Sequence, residues 1–271
     1  MTSRAREAEM DALAGLSLEL AVGAAAVVRV GRSGAFSVGT KSTATDLVTE
    51  VDRRSEQWLV AQISSLRPDD AILGEEGAGR TGTSGVRWIL DPIDGTVNFV
   101  LGLPHYGVSI AVERDGVVVA GAVANPATAE TFHARLGGGA YLGSERLTGP
   151  RDVPLSRAII GTGFAYDAAV RARQIAVVAP LLPEFADLRR LGSAALDLCF
   201  VAAGRLDGYF EAGLNRWDYA AGALVASEAG CVVTALDGRA PSSRFAVACA
   251  PGLAAELRAA LAAVDADTVS G

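Results

Sequence analysis

The first 68 residues contain two stretches in which apolar residues recur at helical spacing, separated by a polar stretch. Residues 1–28 combine an apolar stretch with scattered acids, including Glu19 inside its most apolar part. This pattern predicts an amphipathic helix rather than a signal peptide or a membrane span. A second helix is predicted over 52–66, where four apolar residues recur at helical spacing before Pro68. The Gly- and Ser-rich stretch 31–46 between them predicts a mobile loop.

Short apolar runs follow, and these predict strands. Residues 71–77 ("AILGEEG") predict a strand that runs into a turn, and 86–90 ("VRWIL") predict a buried strand. Residues 106–126 predict a hairpin, because Asp115-Gly116 between two apolar runs is a strong two-residue turn signal. The first half of the chain is therefore expected to be rich in antiparallel strands.

Beyond about residue 145 the pattern changes to an alternation of strands and helices. Strands are predicted at 159–163, 186–190, 208–211, 231–235 and 244–249, and helices at 168–182, 193–203 and 218–229, with a further helix closing the chain. The pattern favours an α+β half over 1–145 and an α/β half over 146–271, packed as sheet and helix layers. No polar linker separates the halves, so we expect them to share an interface and one cleft.

Composition narrows the class of protein. The chain has 271 residues, half of them hydrophobic, and a net charge of −7. The negative charge argues against nucleic-acid binding, which depends on clustered Lys and Arg. It still allows an anionic substrate where a bound metal reverses the local field. The odd set of cysteines, Cys199, Cys231 and Cys249, indicates buried thiols of a reducing compartment. We therefore expect a cytoplasmic protein without a membrane partner.

Five acids stand directly beside apolar or aromatic residues: Glu75 and Glu76 ("ILGEE"), Asp91 and Asp94 ("WILDPID") and Asp218 ("RWDYAAG"). Burying several like charges together costs several kcal/mol per ion unless a cation compensates. A set of oxygen donors without Cys or His indicates Mg²⁺ or Mn²⁺ rather than Zn²⁺. Taken singly, Asp94 could be a turn residue, Asp218 a helix cap and the glutamates a solvated corner. The residues alone leave both interpretations open.

The same turns have the features of an anion site. Gly95 and Thr96 follow Asp94 at the start of a predicted helical turn, and Gly192 and Ser193 precede another helix. Backbone N–H groups at helix starts bind phosphate. Two such starts beside a metal cluster predict metal-assisted hydrolysis of a small phosphate ester by activated water.

Two longer stretches resemble a known family. "WILDPIDGTVNFV" (88–100) and "WDYAAGALVASEAG" (217–230) resemble the two signatures of the inositol monophosphatase family of Mg²⁺-dependent, lithium-sensitive phosphatases. Four more stretches fall in the family's order: "KSTATDLVTEVD" (41–52), "GEE" (74–76), "GSAALDLC" (192–199) and "GRLDGYFEAG" (204–213). The resemblance therefore runs from about residue 40 to the end of the chain. It implies the layered α-β-α-β-α sandwich of that family and a homodimer.

The resemblance also implies a role for individual residues. The metal ligands for two or three Mg²⁺, or for Mn²⁺, would be the side chains of Glu75, Asp91, Asp94 and Asp218 and the carbonyl of Ile93. The catalytic groups that polarise the attacking water would be Glu75 and Thr96, with Asp94 beside them. The substrate would be bound by Asp94, Gly95, Thr96, Gly192, Ser193, Ala194, Glu211 and Asp218.

Other positions carry open alternatives. Asp46 and Asp52 either support the metal site or cap a helix. Lys41 either reaches the site when the 31–46 loop closes or stays solvated. Arg189 and Arg190 either stay exposed or reach a substrate or a partner subunit. Trp88 and Trp217 are expected to pack, and His105 and His133 are expected to be structural.

The resemblance does not fix the substrate. The Glu211 carboxylate suits a neutral polyol, which favours inositol 1-phosphate. Histidinol phosphate is the main rival because the same carboxylate suits its amine, and fructose 1,6-bisphosphate would need more cationic groups than the sequence shows. A different class also stands: a regulatory partner-binding protein of the transcription machinery.

Overall fold

The computed structural model describes residues 3–269, so positions 1–2 and 270–271 of the predicted halves lie outside the described residues. The α-helices of this range are α1 (Ser3–Ser33), α2 (Glu50–Leu66), α3 (Thr96–Leu101), α4 (Ala168–Val178), α5 (Ala194–Ala202), α6 (Arg216–Glu228) and α7 (Ala254–Ala263). The strands are β1 (Val38–Thr40), β2 (Leu47–Thr49), β3 (Ala71–Gly74), β4 (Gly79–Arg80), β5 (Val86–Asp94), β6 (Gly107–Arg114), β7 (Val117–Ala124), β8 (Thr131–Arg135), β9 (Gly139–Leu142), β10 (Glu145–Arg146), β11 (Ile159–Thr162), β12 (Asp187–Arg189), β13 (Gly208–Ala212), β14 (Val232–Thr234) and β15 (Phe245–Cys249). Short 3-10 helices span Leu155–Arg157, Ala179–Glu184 and Ala266–Val269.

The larger sheet has eight strands in the order β10-β9-β8-β7-β6-β5-β3-β4. All its neighbours are antiparallel except β3 and β5. Its central hairpin, β6–β7, turns at Asp115 and Gly116, which both have positive φ, as a two-residue hairpin turn requires. The hairpin prediction is therefore confirmed.

The smaller sheet has five strands in the order β12-β11-β13-β15-β14. Strands β12, β11 and β13 are parallel, and β15 and β14 add to them antiparallel. Helices α4 and α5 connect the parallel strands along the chain. A separate hairpin, β1–β2, precedes α2.

Helices and sheets alternate in five layers. Helices α1 and α2 cover one face of the larger sheet, α5 and α6 fill the space between the sheets, and α4 and α7 cover the outer face of the smaller sheet. Three clusters of buried apolar residues fill the four spaces between these layers, and one of the clusters packs on both sides of α5 and α6. The predicted α-β-α-β-α sandwich is confirmed, and the predicted buried, free thiols of Cys199, Cys231 and Cys249 are observed.

Helix α1 is the one helix within residues 3–269 whose length and apolar composition would suffice to cross a membrane. That property is weak evidence, because a long core helix has it too. Ala21, Ala24 and Val28 of α1 are fully buried in the cluster that it forms with the larger sheet and α2. The helix therefore has an apolar face that packs in the core, as an amphipathic helix does.

The structure corrects several predicted boundaries. The predicted 31–46 loop is shorter, because α1 continues to Ser33 and Val38–Thr40 pairs with β2. Strand β5 runs on through Asp94 instead of ending at Leu90. Helix α6 begins two residues early, with Asn215 at its N-cap. Strands β4, β8, β9 and β10 were not predicted.

Candidate active site

A cleft of about 460 Å³ lies between the two sheets, at the end of β5 and the starts of α5 and α6. This volume suits a small molecule. The cleft brings together nearly all the predicted site residues: Glu75, Asp91, Ile93, Asp94, Gly95, Thr96, Gly192, Ala194, Glu211 and Asp218. Residues of both predicted halves therefore form its wall.

The irregular end of β5 directs two acids into the cleft. In a regular strand, residues three apart point to opposite faces. The pairing of β5 with β6 shifts register between Asp91 and Asp94, as at a β-bulge, and both side chains line the cleft. The Asp91 carboxylate accepts a hydrogen bond from the Ile93 N–H at 3.0 Å. Burial, and then the charges of Glu75, Asp94 and Asp218, raise the pKa of Asp91 well above its usual value.

Asp94 is held by the start of α5, on the other side of the cleft. Its Oδ2 accepts hydrogen bonds from the Ser193 hydroxyl at 2.6 Å and from the Ala195 N–H at 2.7 Å. Burial raises the pKa of Asp94 to about 7, although these two hydrogen bonds oppose the rise. Ser193 itself is 1% exposed and caps α5 through the Leu196 N–H. It supports Asp94 and is not among the residues that line the cleft, which differs from its predicted part in binding the substrate.

Asp218 lies in the first turn of α6. Its Oδ2 accepts a hydrogen bond from the Asn215 N–H at 2.6 Å, so the carboxylate helps to cap the helix from its third residue. Burial and the charge of Asp94 raise the pKa of Asp218 well above its usual value. The helix-capping interpretation and the cleft position therefore both hold for this residue.

Lys41 reaches Glu75 and Glu76. Its Nζ lies 2.7 Å from Glu75 Oε1 and also contacts Glu76 Oε1, and its side chain is only 23% exposed. Burial alone would lower the pKa of Lys41, but the two carboxylates outweigh it and raise the pKa. Lys41 therefore reaches the site, while the residue as a whole is exposed to solvent. Glu75 Oε2 is buried beside Asp91 with no hydrogen-bond donor among the described residues.

Thr96 is fixed from below by Asp52. The Thr96 hydroxyl oxygen lies 3.0 Å from both Asp52 Oδ1 and the Ile93 carbonyl oxygen, and its single proton serves one of them at a time. The fully buried Asp52 also accepts a hydrogen bond from the Thr49 N–H at 2.9 Å and completes the cap of α2. Burial raises the pKa of Asp52 to about 6. Asp52 therefore caps α2 and also holds Thr96 of the cleft wall, and its support of a metal site stays a prediction. Asp46 lines the cleft and bonds Ser42 within its own loop.

The far side of the cleft carries Glu211. The Tyr209 hydroxyl donates a hydrogen bond to Glu211 Oε2 at 2.6 Å. Burial raises the pKa of Glu211 to about 7, although the Tyr209 hydrogen bond opposes the rise. Arg190 also lines the cleft and lowers the pKa of Glu211.

Three aromatic residues of the wall, Phe164, Tyr166 and Trp217, were not predicted to line the cleft. Tyr166 lines the cleft, and its carbonyl accepts a hydrogen bond from the Thr45 hydroxyl at 2.9 Å, so the β1–β2 loop reaches across to the second sheet. Trp217, expected only to pack, lines the cleft with its Nε1 buried and without a hydrogen-bond partner among the described residues. Its position directly before Asp218 was a signal that could have found it. Nothing in the sequence around Tyr166 marks it.

The remaining candidates lie behind or away from the cleft. His105 Nε2 lies 2.8 Å from Asp197 Oδ1 on α5. The other pairs are Trp88 with Asp70, His133 with the Gly143 carbonyl, and Arg189 with Asp187.

Comparison with known proteins decides the family. The model of the inositol monophosphatase family matches residues 9–266. The chain belongs to the inositol monophosphatase family. Membership confirms the predicted class of enzyme, a phosphoric monoester hydrolase, and a phosphorylated substrate.

Relatives within the inositol monophosphatase family carry two kinds of name. The chain is 47% identical to "Inositol-1-monophosphatase SuhB" of Mycobacterium tuberculosis, over 89% of this chain and 90% of that protein. It is 44% identical to "Nus factor SuhB" of Vibrio cholerae, over 72% of this chain and 74% of that protein. The crystal structure of the extragenic suppressor protein SuhB from Bartonella henselae superimposes with a TM-score of 0.87 at 34% identity, covering 92% of this chain and 98% of that one.

Inositol monophosphatases are generally metal-dependent, and the residues here fit a hard divalent ion. The donors are carboxylates and one carbonyl, burial raises the pKa of all four acids, and Glu75 Oε2 lacks a protein donor. In this conformation, no three His, Cys, Asp or Glu side chains within residues 3–269 surround one point closely enough to hold a metal. The Lys41 ammonium pairs with Glu75 Oε1 and competes there as a counter-charge, whereas Oε2 is the oxygen left for a metal.

Proposed function

We propose that this protein hydrolyses inositol 1-phosphate to inositol and phosphate, with two or three Mg²⁺, or Mn²⁺, held by Glu75, Asp91, Asp94, Asp218 and the Ile93 carbonyl. The observation that carries the proposal is the convergence of these four carboxylates on one cleft, with three from β5 and the end of β3 in the larger sheet and one from α6. Their mutual repulsion and burial call for a cationic counter-charge. Lithium is expected to inhibit by competing with Mg²⁺.

The metal ions and the residues beside them have distinct parts in the proposed reaction. Bound Mg²⁺ would supply a Lewis acid for the phosphoryl oxygens and lower the pKa of water. Glu75 and Thr96 would hold the attacking water, with the Thr96 hydroxyl oriented by Asp52. The backbone N–H groups of Gly95 and Thr96 would bind the phosphate.

The part of the cleft around Glu211, which would hold the alcohol part of the ester (the alcohol side), suits a neutral polyol. Glu211 offers a carboxylate that accepts hydrogen bonds from ring hydroxyls, with its orientation fixed by the hydroxyl of Tyr209. Arg190 is the one arginine among the residues that line the cleft, which is little positive charge for a second phosphate group. The name of the mycobacterial relative supports the same substrate.

A panel of esters tests the assignment. Phosphate release from inositol 1-phosphate, histidinol phosphate and fructose 1,6-bisphosphate is measured with and without Mg²⁺. We expect the highest kcat/KM for inositol 1-phosphate and no turnover with EDTA. A kcat/KM for histidinol phosphate that is orders of magnitude higher would replace the inositol assignment, and metal-independent turnover would remove the proposed mechanism.

The proposal includes a cytoplasmic homodimer, by resemblance to the family. Light scattering coupled to gel filtration measures its mass directly. A monomer at micromolar concentration would contradict the dimer.

A regulatory role is a second candidate, because the relative from Vibrio cholerae is named a Nus factor. Asp94→Asn separates the two functions in a strain that depends on this protein. A phosphatase loses its biological role with its activity, whereas a partner-binding protein keeps it. We expect the role to be lost.

A further inference from the structure

Asn98 occupies a buried position between the two sheets, next to the cleft but outside its wall. It lies on α3, is 5% exposed and follows the Gly95-Thr96 turn. Its amide nitrogen donates to the His105 carbonyl at 2.7 Å and to the Leu191 carbonyl at 2.8 Å. Both amide protons are therefore used, one on each side of the seam between the sheets.

The backbone around this amide is packed too closely to move independently of it. A Cβ at Gly192 would lie 3.0 Å from the Asn98 amide nitrogen. A Cβ at Gly95 would lie 2.9 Å from the Gly192 carbonyl oxygen and 3.2 Å from that of His105. Both glycines have positive φ, which suits the absence of a side chain. We call Asn98 with the two carbonyls of His105 and Leu191 the amide clasp.

Leu191 of the amide clasp lies two positions before Ser193, the first of the two groups that orient Asp94. Leu191 and Gly192 lead directly into Ser193, whose hydroxyl, together with the Ala195 N–H, fixes Asp94 Oδ2. A shift of Leu191 relative to α3 would therefore move the donors of Asp94. On its other side, His105 is tied to α5 by its ring, through Asp197.

We propose that Asn98 is a positioning residue, which sets the direction of the Asp94 carboxylate by holding the start of α5 against α3. It touches neither substrate nor metal in this role. A side-chain amide is suited to it because only an NH₂ group donates twice to two backbone carbonyls from one short side chain. The inference rests on the proposed function for both of its readouts, turnover and Mg²⁺ affinity.

Asn98→Asp tests the proposal, since it keeps the shape but sets an acceptor against two carbonyl oxygens. We expect kcat to fall about a hundredfold, as for a misplaced catalytic group, while KM changes less than about threefold. The Mg²⁺ Kd, measured by calorimetry, should rise about tenfold. Asn98→Ser keeps one donor, so its losses of kcat and of Mg²⁺ affinity should be intermediate. This variant tests the proposal if Asn98→Asp does not fold. A folded variant with kcat and Mg²⁺ Kd within twofold of wild type would overturn the proposal.

Asn125→Asp is the matched control. Asn125 is equally buried and donates its amide to the Pro104 carbonyl, but its side-chain partners all lie in the segment 104–128 and none in the segment 191–195 that leads into α5. It should lower the thermal midpoint and leave kcat within about twofold. An equal loss of kcat in this control would show that Asn98 acts only through general stability, and would overturn the proposal.

A double variant tests the route. If Asn98 acts through Ser193 and Asp94, then Asn98→Asp combined with Ser193→Ala should lose no more kcat than the worse single variant. If the fold losses in kcat of the two single variants multiply in the double variant, Asn98 does not act through Ser193 and Asp94. If the wild type hydrolyses no ester of the panel, the proposed function fails. The Mg²⁺ Kd of Asn98→Asp then decides by itself whether Asn98 positions Asp94.

Discussion

Glu211→Gln should stabilise the metal-free protein progressively as the pH rises. Burial raises the pKa of Glu211 from 4.5 to about 7. A carboxyl group whose pKa is raised by folding adds most to the free energy of unfolding at pH values below its unfolded pKa. That contribution is lost as the pH rises through the folded pKa. Glutamine cannot ionise, so the variant keeps what the wild type loses.

The size of the effect follows from the shift. Each pKa unit corresponds to about 1.4 kcal/mol. A rise from 4.5 to about 7 therefore gives an upper value of about 3 kcal/mol for the change in relative stability between pH 4.5 and about pH 8. Urea unfolding of both proteins in EDTA, at steps of half a pH unit, measures the difference. The difference should change most between about pH 5 and 7 and level off above.

Two controls make the test specific. Tyr209→Phe removes the hydroxyl that stabilises the ionised carboxylate, so the loss of stability in that background should extend to higher pH. The exposed Asp187 has a pKa lowered by Arg189, so Asp187→Asn should change stability with the opposite sign. If the stabilities of Glu211→Gln and wild type run parallel across the range, the electrostatic account of the alcohol side is wrong.

Three further variants probe the metal side. Asp91→Ala removes a buried carboxylate, so Mg²⁺ affinity measured by calorimetry should fall and phosphate release nearly vanish; an unchanged Mg²⁺ dependence would contradict its role as a ligand. Lys41→Met removes the ammonium that competes for Glu75, so the Mg²⁺ Kd should tighten about fivefold, or about 1 kcal/mol; equal affinity would rule out competition. Gly95→Ala places a Cβ 2.9 Å from the Gly192 carbonyl at a φ of +90°, so urea unfolding should show a loss of about 1–3 kcal/mol. A fully stable Gly95→Ala protein would refute that strain.

Periodic and turn signals predicted most of the regular elements. Helix α2, the β6–β7 hairpin and the strands and helices of the second half follow from them to within a few residues. The end of β5 was missed because Pro92 and two acids indicate a turn, whereas pairing with β6 across a register shift extends the strand. Strands β8 and β9 were missed because Gly137 and Gly139, both at positive φ, interrupt the alternation.

The candidate site was predictable where local chemistry marked it. Acids next to apolar runs identified Glu75, Asp91, Asp94 and Asp218, and the structure brings them to one cleft, although their roles as ligands stay predictions. The contact of Lys41 with Glu75 spans 34 residues and depends on how one loop folds back, which no local pattern encodes.

Asp94 depends on partners that lie 99 and 101 positions further along the chain. During synthesis on a ribosome, the larger sheet is therefore complete long before Ser193 and Ala195 emerge, and Asp218 comes later still. A polypeptide interrupted before α5 would contain Glu75, Asp91 and Asp94, without the groups that orient Asp94. Such a fragment would be an inert product rather than a slow enzyme, so phosphatase activity arises only once translation has passed α6.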